Sequence, residues 1–147
     1  KEITSQMIYQ AFADEYLEQR SPLALVNHRL SSEPDSPKVA LEAIVENGGQ
    51  RQTLTGEGNG PLAAFIKALV ASGQEVEIID YHEHSRGQGA DAEAIAYVEV
   101  RIDGKAVFGV GTDESITSAS MKGVLSAINR HYSTQPAAAN VTAESLG

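Results

Sequence analysis

The order of predicted elements repeats once along the chain. Residues 21–73 contain three runs that alternate apolar and polar side chains, followed by a helical pattern, and residues 74–133 contain the same series. In both halves a Gly-x-Gly ends the third run, and the pair at residues 56–58 aligns with the pair at residues 109–111 at an offset of 53 residues. The repeat predicts an α+β fold of two pseudo-symmetric βββα units, with antiparallel sheets and two central helices.

Turn and cap residues support this division. Asn-Gly-Gly at residues 47–49 and Asp-Gly at residues 103–104 each separate two alternating runs and predict hairpin turns. Pro61 begins a helical pattern that stops at Gly73. Its predicted buried face consists of Leu62, Phe65, Ile66, Leu69 and Val70.

The second predicted helix carries a stripe of small residues. Ala119, Gly123 and Ala127 recur every four positions, so they share one helix face. A glycine in mid-helix costs about 1 kcal/mol relative to alanine, which indicates that another backbone packs closely against Gly123. The stripe is also a candidate for an interface that moves during regulation.

Two segments lie outside the repeat. Residues 4–18 place apolar side chains at helical spacing, which predicts a helix within residues 1–20. The apolar positions are Met7, Ile8, Phe12 and Tyr16. Residues 134–147 lack periodicity and are predicted to form a disordered tail, which leaves residues 21–133 as the folded domain.

Composition excludes several classes of function. The 147 residues suffice for one domain, and 11 Lys and Arg against 20 Asp and Glu give a formal net charge of −9, which disfavours nucleic acid and anionic membranes as partners. There is no cysteine for a disulfide or a thiolate zinc site. No apolar run approaches the about 18 residues of a membrane span. These features predict a cytoplasmic domain, and the start without methionine suggests a fragment of a longer polypeptide.

Enzyme-like motifs in the sequence are weak. Residues 56–65, GEGNGPLAAF, place proline where the dinucleotide fingerprint G-x-G-x-x-G continues, and the surrounding strands form a meander. His82 and His84 offer two imidazoles on one strand face without an evident third metal ligand. Asp80 and Glu83 could act as an acid and base, but nothing indicates that either is buried. We therefore predict no catalytic residue, no metal site and no cofactor in this chain.

The glycine-rich loop suits a small amphoteric ligand. A helix start presents free N–H groups and a positive dipole end, so Gly58 and Gly60 could admit a carboxylate there. Asp80 is our candidate for holding an ammonium group, and apolar side chains are available for an aliphatic group. Those apolar side chains are Leu62, Ile78, Ala92 and Ile116. The alternative is that the glycines only turn the chain.

Three stretches in this order and spacing carry a family resemblance. They are GEGNGPLAAF, IIDYHEHSRGQGADAEAIAYVEV and FGVGTDESITSASMKGVLSAINR, and they resemble the carboxy-terminal regulatory domain of 2-isopropylmalate synthase across about residues 3–131. The leading ITSQMIYQAFADEYL resembles the end of that family's linker subdomain. The resemblance implies a homodimeric feedback-inhibition module that binds L-leucine. It also implies a parent enzyme that condenses acetyl-CoA with 2-oxoisovalerate on a separate barrel with a divalent metal.

The same resemblance implies a set of leucine-binding residues. The set comprises Gly58, Asn59, Gly60, Leu62, Ala63, Ile78, Tyr81, Ser85, Ala92, Ala94 and Ile116, to which the charge argument adds Asp80. Ser85 departs from the alanine often seen in the family. Two alternatives stay open, an isoleucine-binding domain of a citramalate synthase and a dimerisation domain without a ligand. We expect Gly58→Asp or Gly60→Asp to abolish leucine binding and to leave the fold intact.

Overall fold

A computed structural model describes residues 23–87 and 92–133. The helix expected within residues 1–20 and the tail of residues 134–147 lie outside this range. The elements are β1 (Leu23–Ser32), β2 (Val39–Asn47), β3 (Gln50–Gly58), α1 (Pro61–Ala71), β4 (Glu77–Arg86), β5 (Glu93–Ile102), β6 (Lys105–Asp113) and α2 (Ile116–Ser133).

The strands form two separate antiparallel sheets. One sheet has the order β1-β2-β3 and the other β4-β5-β6, and each is followed along the chain by its helix. Both predicted hairpins are present, since Asn47 pairs with Gln50 and Ile102 pairs with Lys105. The prediction of two βββα units in an α+β fold is confirmed.

The structural repeat has a different offset from the one that the Gly-x-Gly pairs suggested. The hairpins, the helix starts at residues 61 and 116, and the strand glycines that meet each helix are all 55 residues apart. Gly56 is therefore equivalent to Gly111, whereas Gly58 is equivalent to Asp113. The offset of 53 was wrong from β2 onward because the β4–β5 hairpin is longer by one residue in each strand. Seven residues of β4 follow its bulge against six in β1, and β5 has ten residues against nine in β2.

Each sheet has a bulge in its first strand. The pairing register shifts around Val26 in β1 and around Ile79 in β4, and these two residues are 53 positions apart. Both side chains are more than a third exposed. Such bulges twist an edge strand, and here each one changes which side chains point towards the helices.

One hydrophobic core draws residues from both units. It contains Leu41, Ala43 and Val45 of β2, Phe65 of α1, and Val98 of β5, together with Met121 and Ile128 of α2. Helix α2 is buried on nearly every side, whereas α1 buries only Ala64, Phe65, Ala68 and Leu69. This common core makes the two units a single packed body.

The buried face of α1 is centred on small residues. A Cβ built on Gly56 would lie 2.6 Å from the Ala68 nitrogen, so the strand and helix backbones approach closely there. Val70, predicted to be buried, is 46% exposed, because the helix is rotated to bring Ala64 and Ala68 against β3. The prediction was wrong for Val70 because large apolar side chains were taken to mark the buried face, whereas small residues form the centre of that face.

The small-residue stripe of α2 packs against the chain's own strand β6. A Cβ on Gly111 would overlap the Ala119 oxygen and the Gly123 nitrogen, whereas a Cβ on Gly123 would lie 3.4 Å from the nearest atom, Val98 Cγ2. The predicted close approach is confirmed. The glycines that this approach requires are on the strand and not at Gly123 of the helix. They are Gly111 and also Gly109, whose Cβ would overlap the Gly123 oxygen.

Candidate functional site

The amino terminus of α1 is open. Gly60 is the N-cap, with an extended backbone at φ −177° and ψ 172°, and it makes no side-chain cap hydrogen bond. Its carbonyl accepts the first helical hydrogen bond, from Ala64 N at 2.9 Å. The first turn carries no acidic residue, and Pro61 has no N–H. The N–H groups of Leu62 and Ala63 therefore present a positive end that no side chain of the loop caps.

The two loop glycines have different surroundings. A Cβ on Gly58 would lie 2.7 Å from the Ala64 nitrogen and 2.9 Å from the Ala63 Cβ. A Cβ on Gly60 meets no heavy atom within 4 Å among the described residues. Gly58→Asp therefore displaces the start of α1, so the expectation that this variant leaves the fold intact was wrong. Gly60→Asp is accommodated.

The equivalent end of α2 is occupied by the chain's own side chains. Asp113 Oδ1 accepts a hydrogen bond from Ser115 N at 3.0 Å, and Ser115 Oγ accepts one from Ser118 N at 3.3 Å. Ala119 N donates to Ser115 O at 2.9 Å, which matches the bond between Ala64 and Gly60 in α1. Asp113 and Ser115 thus supply a carboxylate and a hydroxyl at the two positions where the first unit has Gly58 and Gly60.

The carboxylate at α2 is held in its charged form. Partial burial acts to raise the pKa of Asp113, but hydrogen bonds from Lys122 Nζ and from the Ser115 N–H outweigh it, and the pKa lies below its ordinary value. Lys122 Nζ and Asp113 Oδ2 are 2.8 Å apart. A carboxylate with nearby N–H donors is therefore a stable arrangement at this kind of helix start.

Removal of this charge tests the arrangement. We expect Asp113→Asn to lower the free energy of unfolding by up to about 1 kcal/mol at neutral pH, because it removes the negative charge at the helix start and the ion pair with Lys122 but keeps an oxygen that can accept from Ser115 N. Because the folded pKa is depressed, the contribution is present above the unfolded pKa of about 3.9 and is lost as the pH falls through the folded pKa. Urea unfolding at several pH values should therefore show the two curves converging below about pH 4.

The control is Asp35→Asn, which neutralises an exposed carboxylate in the β1–β2 connection. This variant should unfold like the parent chain at neutral pH. An Asp113→Asn curve that runs parallel to the parent curve down to pH 3, or that coincides with it at pH 7, would contradict a stabilising role for the Asp113 charge.

The second group of predicted site residues lies on the helix-facing side of β4 and β5. Ile78 pairs with Val100 and Tyr81 with Val98, whose side chains are in the core. The bulge at Ile79 allows Ile78 and Tyr81 to share this face although they are three residues apart. Leu62 of α1 packs against the same core and, like Ile78 and Tyr81, is only partly buried.

The remaining predicted residues lie along the same side. Ser85 pairs with Ala94, Ala92 immediately precedes β5, and Ile116 packs against a small cluster formed by Ala94, Ala96 and Ala119. The predicted set is thus divided between the α1 start and this strip, and the core that Leu62, Ile78 and Tyr81 contact joins the two.

Tyr81 has two polar neighbours that sequence reasoning did not assign to the site. Its hydroxyl donates to Glu83. Burial, followed by the neighbouring Glu83, raises the pKa of Tyr81 above its ordinary value. The side chain of Ser120 in α2 has a smaller effect that lowers the pKa of Tyr81, and the Ser120 hydroxyl itself donates to Ile116 O at 2.9 Å. Glu83 precedes His84 by one residue and follows Tyr81 by two, so period-two alternation could have placed its carboxylate on the face of Tyr81.

Asp80 lies on the opposite face of the sheet from the other predicted residues. It pairs with Glu99 across from the helices, its Oδ1 accepts a hydrogen bond from Tyr81 N at 2.8 Å, and its Oδ2 is 3.2 Å from His82 Nε2. The Asp80 carboxylate therefore lies on the opposite face of the sheet from the side chains of Tyr81 and Ile78. Within residues 23–87 and 92–133 no group of three or more His, Asp or Glu is arranged to hold a metal ion.

The fold and the two helix starts define a class of protein. Residues 2–132 match the model of the LeuA allosteric (dimerisation) domain, and the chain belongs to this family. The prediction of family membership is confirmed.

The similar proteins are full-length enzymes. The chain is 44% identical over 130 residues to the 2-isopropylmalate synthase of Mycobacterium ulcerans and 45% identical over 142 residues to that of Pseudomonas fluorescens. A 2-isopropylmalate synthase of Corynebacterium efficiens is 43% identical over 132 residues. These alignments cover 88%, 94% and 88% of the chain but only 23%, 24% and 22% of the relatives. The chain thus spans about a quarter of the length of these enzymes.

In the described part of the chain, neither helix combines the length and the apolar character that crossing a bilayer requires.

Proposed function

We propose that this chain is the regulatory domain of a cytoplasmic 2-isopropylmalate synthase, that it forms a homodimer, and that it binds L-leucine for feedback inhibition. The observation that carries the proposal is the difference between the two helix starts. At the α2 start the Asp113 carboxylate and the Ser115 hydroxyl accept from the N–H groups of Ser115 and Ser118, whereas α1 makes the same first backbone hydrogen bond but has glycine at both equivalent positions. A ligand carboxylate at α1 would accept from the N–H groups that these two side chains satisfy at α2, among them that of Ala63, the equivalent of Ser118.

The position of the ligand side chain follows from the apolar residues at the edge of the core. Leu62, Ile78 and Tyr81 are partly buried and pack on the core, so a branched aliphatic group placed against them would remove further apolar surface from water. Ala94 and Ile116 extend this strip towards α2.

The ligand ammonium group needs an acceptor on the same side of the sheet. We propose Glu83 for this role in place of Asp80, since Glu83 contacts Tyr81 and Asp80 faces away from the helices. A carboxylate within about 4 Å of an ammonium group at a partly exposed site contributes both affinity and orientation. Recognition of all three parts of the ligand would give selectivity for an α-amino acid.

The parent enzyme and its chemistry are proposed from the similar proteins. Their shared name supports a polypeptide that produces 2-isopropylmalate, and their greater length supports a catalytic part outside this chain. Leucine can inhibit a distant catalytic part only if it binds one arrangement of the domain better than another.

A calorimetric ligand series tests the proposal. We expect saturable binding of L-leucine and weaker binding of L-isoleucine, whose shifted methyl branch is worth roughly 1–3 kcal/mol in such a pocket. We expect large losses for 3-methylbutan-1-amine, which lacks the carboxylate, and for 4-methylpentanoate, which lacks the ammonium group. A preference for isoleucine would favour a citramalate synthase domain. Silence towards all four compounds would refute ligand binding by this chain.

A further inference from the structure

Asn129 of α2 holds both backbone groups of the first residue of β1. Leu23 N donates to Asn129 Oδ1 at 3.1 Å, and Asn129 Nδ2 donates to Leu23 O at 2.9 Å. The two residues are 106 positions apart in sequence. The chain therefore enters the folded domain at a point fixed by a side chain of the second unit.

This contact is a specific one. Asn129 is 8% exposed, and a buried amide that loses its partners costs about 1–3 kcal/mol, so the pair of bonds favours a single placement of Leu23. Leu23 also packs on the core, next to β2 residues Val45 and Asn47, which line the same groove as Ile128. A displacement of α2 at Asn129 must therefore either carry Leu23 with it or break both bonds.

The other end of α2 lies at the proposed leucine site. Ile116 begins the helix and packs against the cluster of Ala94, Ala96 and Ala119, and Ser120 Oγ donates to Ile116 O at 2.9 Å. Ser120 and Asn129 are nine positions apart, which corresponds to about 13 Å along a continuous helix. Since a packed helix moves as one element, a shift at its first turn reaches Asn129.

We infer that Asn129 is a positioning residue that transmits ligand occupancy from α2 to the segment preceding β1. The inference rests on the proposed leucine site and adds the route by which occupancy leaves the domain. In one arrangement of α2 the two bonds to Leu23 are formed, and leucine stabilises this arrangement through its contacts with the Tyr81 and Ile116 strip.

Hydrogen exchange on the intact 147-residue chain tests this route directly. We expect L-leucine to slow exchange of the Leu23 amide by about fivefold, the factor that about 1 kcal/mol of hydrogen-bond stabilisation corresponds to. Exchange of the Leu62 and Ala63 amides at the α1 start should slow in the same titration. Protection at Leu62 and Ala63 with no change at Leu23 would overturn the inference and leave the proposed function standing.

Variants separate transmission from a merely structural role. In Asn129→Ala we expect fast exchange at Leu23 that no longer responds to leucine, with protection of Leu62 and Ala63 retained and leucine affinity within about threefold of the parent value. The control is Asn27→Ala in β1, whose side chain accepts only a local bond from His28 N at 2.8 Å among the bonds described. It should respond like the parent.

Two further outcomes would decide against the inference. A leucine-dependent response at Leu23 that persists in Asn129→Ala would show that another contact carries it. Absence of protection at every amide in the parent chain would overturn both the inference and the proposed site. If Asn129→Ala does not fold, the parent titration alone still decides, since it needs no substitution.

Discussion

Gly60→Asp should weaken L-leucine binding at least about a hundredfold while the domain stays folded. The new carboxylate would take the place of the ligand carboxylate, and two like charges about 4 Å apart near a protein surface repel by about 4 kcal/mol. The backbone of Gly60 is extended and a Cβ there meets no described atom within 4 Å, so the substitution fits. As an N-cap, aspartate in place of glycine should also raise the free energy of unfolding by about a few tenths of a kcal/mol. Calorimetry and urea unfolding measure the two effects.

The matched control for Gly60→Asp is Asn47→Asp, which adds the same charge at the opposite end of β3, beside the hairpin. It should bind leucine like the parent chain, since the two ends of this nine-residue strand are roughly 26 Å apart. Parent-like leucine binding by Gly60→Asp would remove the α1 start from the site. Gly58→Asp is less informative, because its Cβ overlaps Ala63 and Ala64.

Gly111→Ala should destabilise the domain by at least about 3 kcal/mol, a large part of the 5–15 kcal/mol that stabilises a typical domain. The added methyl group overlaps two backbone atoms of α2, Ala119 O and Gly123 N, which cannot move aside as a flexible side chain could. Relief requires a shift of the central helix against β6. We expect a much lower urea midpoint or loss of the cooperative transition.

Gly123→Ala is the control, because it adds the same methyl group on the other side of this contact. Its Cβ would lie 3.4 Å from Val98 Cγ2 and 3.5 Å from Ala96 O, which are ordinary contact distances. Helix propensity favours alanine over glycine by up to about 1 kcal/mol, so stability should be unchanged or higher. Equal destabilisation by both substitutions would contradict the assignment of the close approach to the strand glycine.

The sequence predicted the elements of this fold well, because each rests on a local signal. Alternation and the Gly-containing turns at residues 47–49 and 103–104 located the hairpins, and Pro61 and Gly73 located α1. What alternation cannot supply is a register shift. The bulges at Val26 and Ile79 leave no trace in the residue types, and the extra residue in each strand of the β4–β5 hairpin hid the true offset of the repeat.

The same limit explains the outcome for the site. The open glycine loop was predicted from residue types and from the resemblance, and Gly60 is indeed a helix cap without a side chain. Asp80 was chosen for its charge, but the bulge at Ile79 turns it to the other face of the sheet. The role of Asp113 and Ser115 became visible only when the two units were compared at the correct offset of 55.

The most direct measurement is a leucine titration followed by NMR at the backbone amides of the two helix starts. We expect saturable shifts for Leu62 and Ala63 of α1, with the amide of Ser118 nearly unchanged because it already donates to Ser115 Oγ. Leucine binding that shifts Ser118 and leaves Leu62 and Ala63 unmoved would contradict the claim that the glycine-capped helix receives the ligand carboxylate.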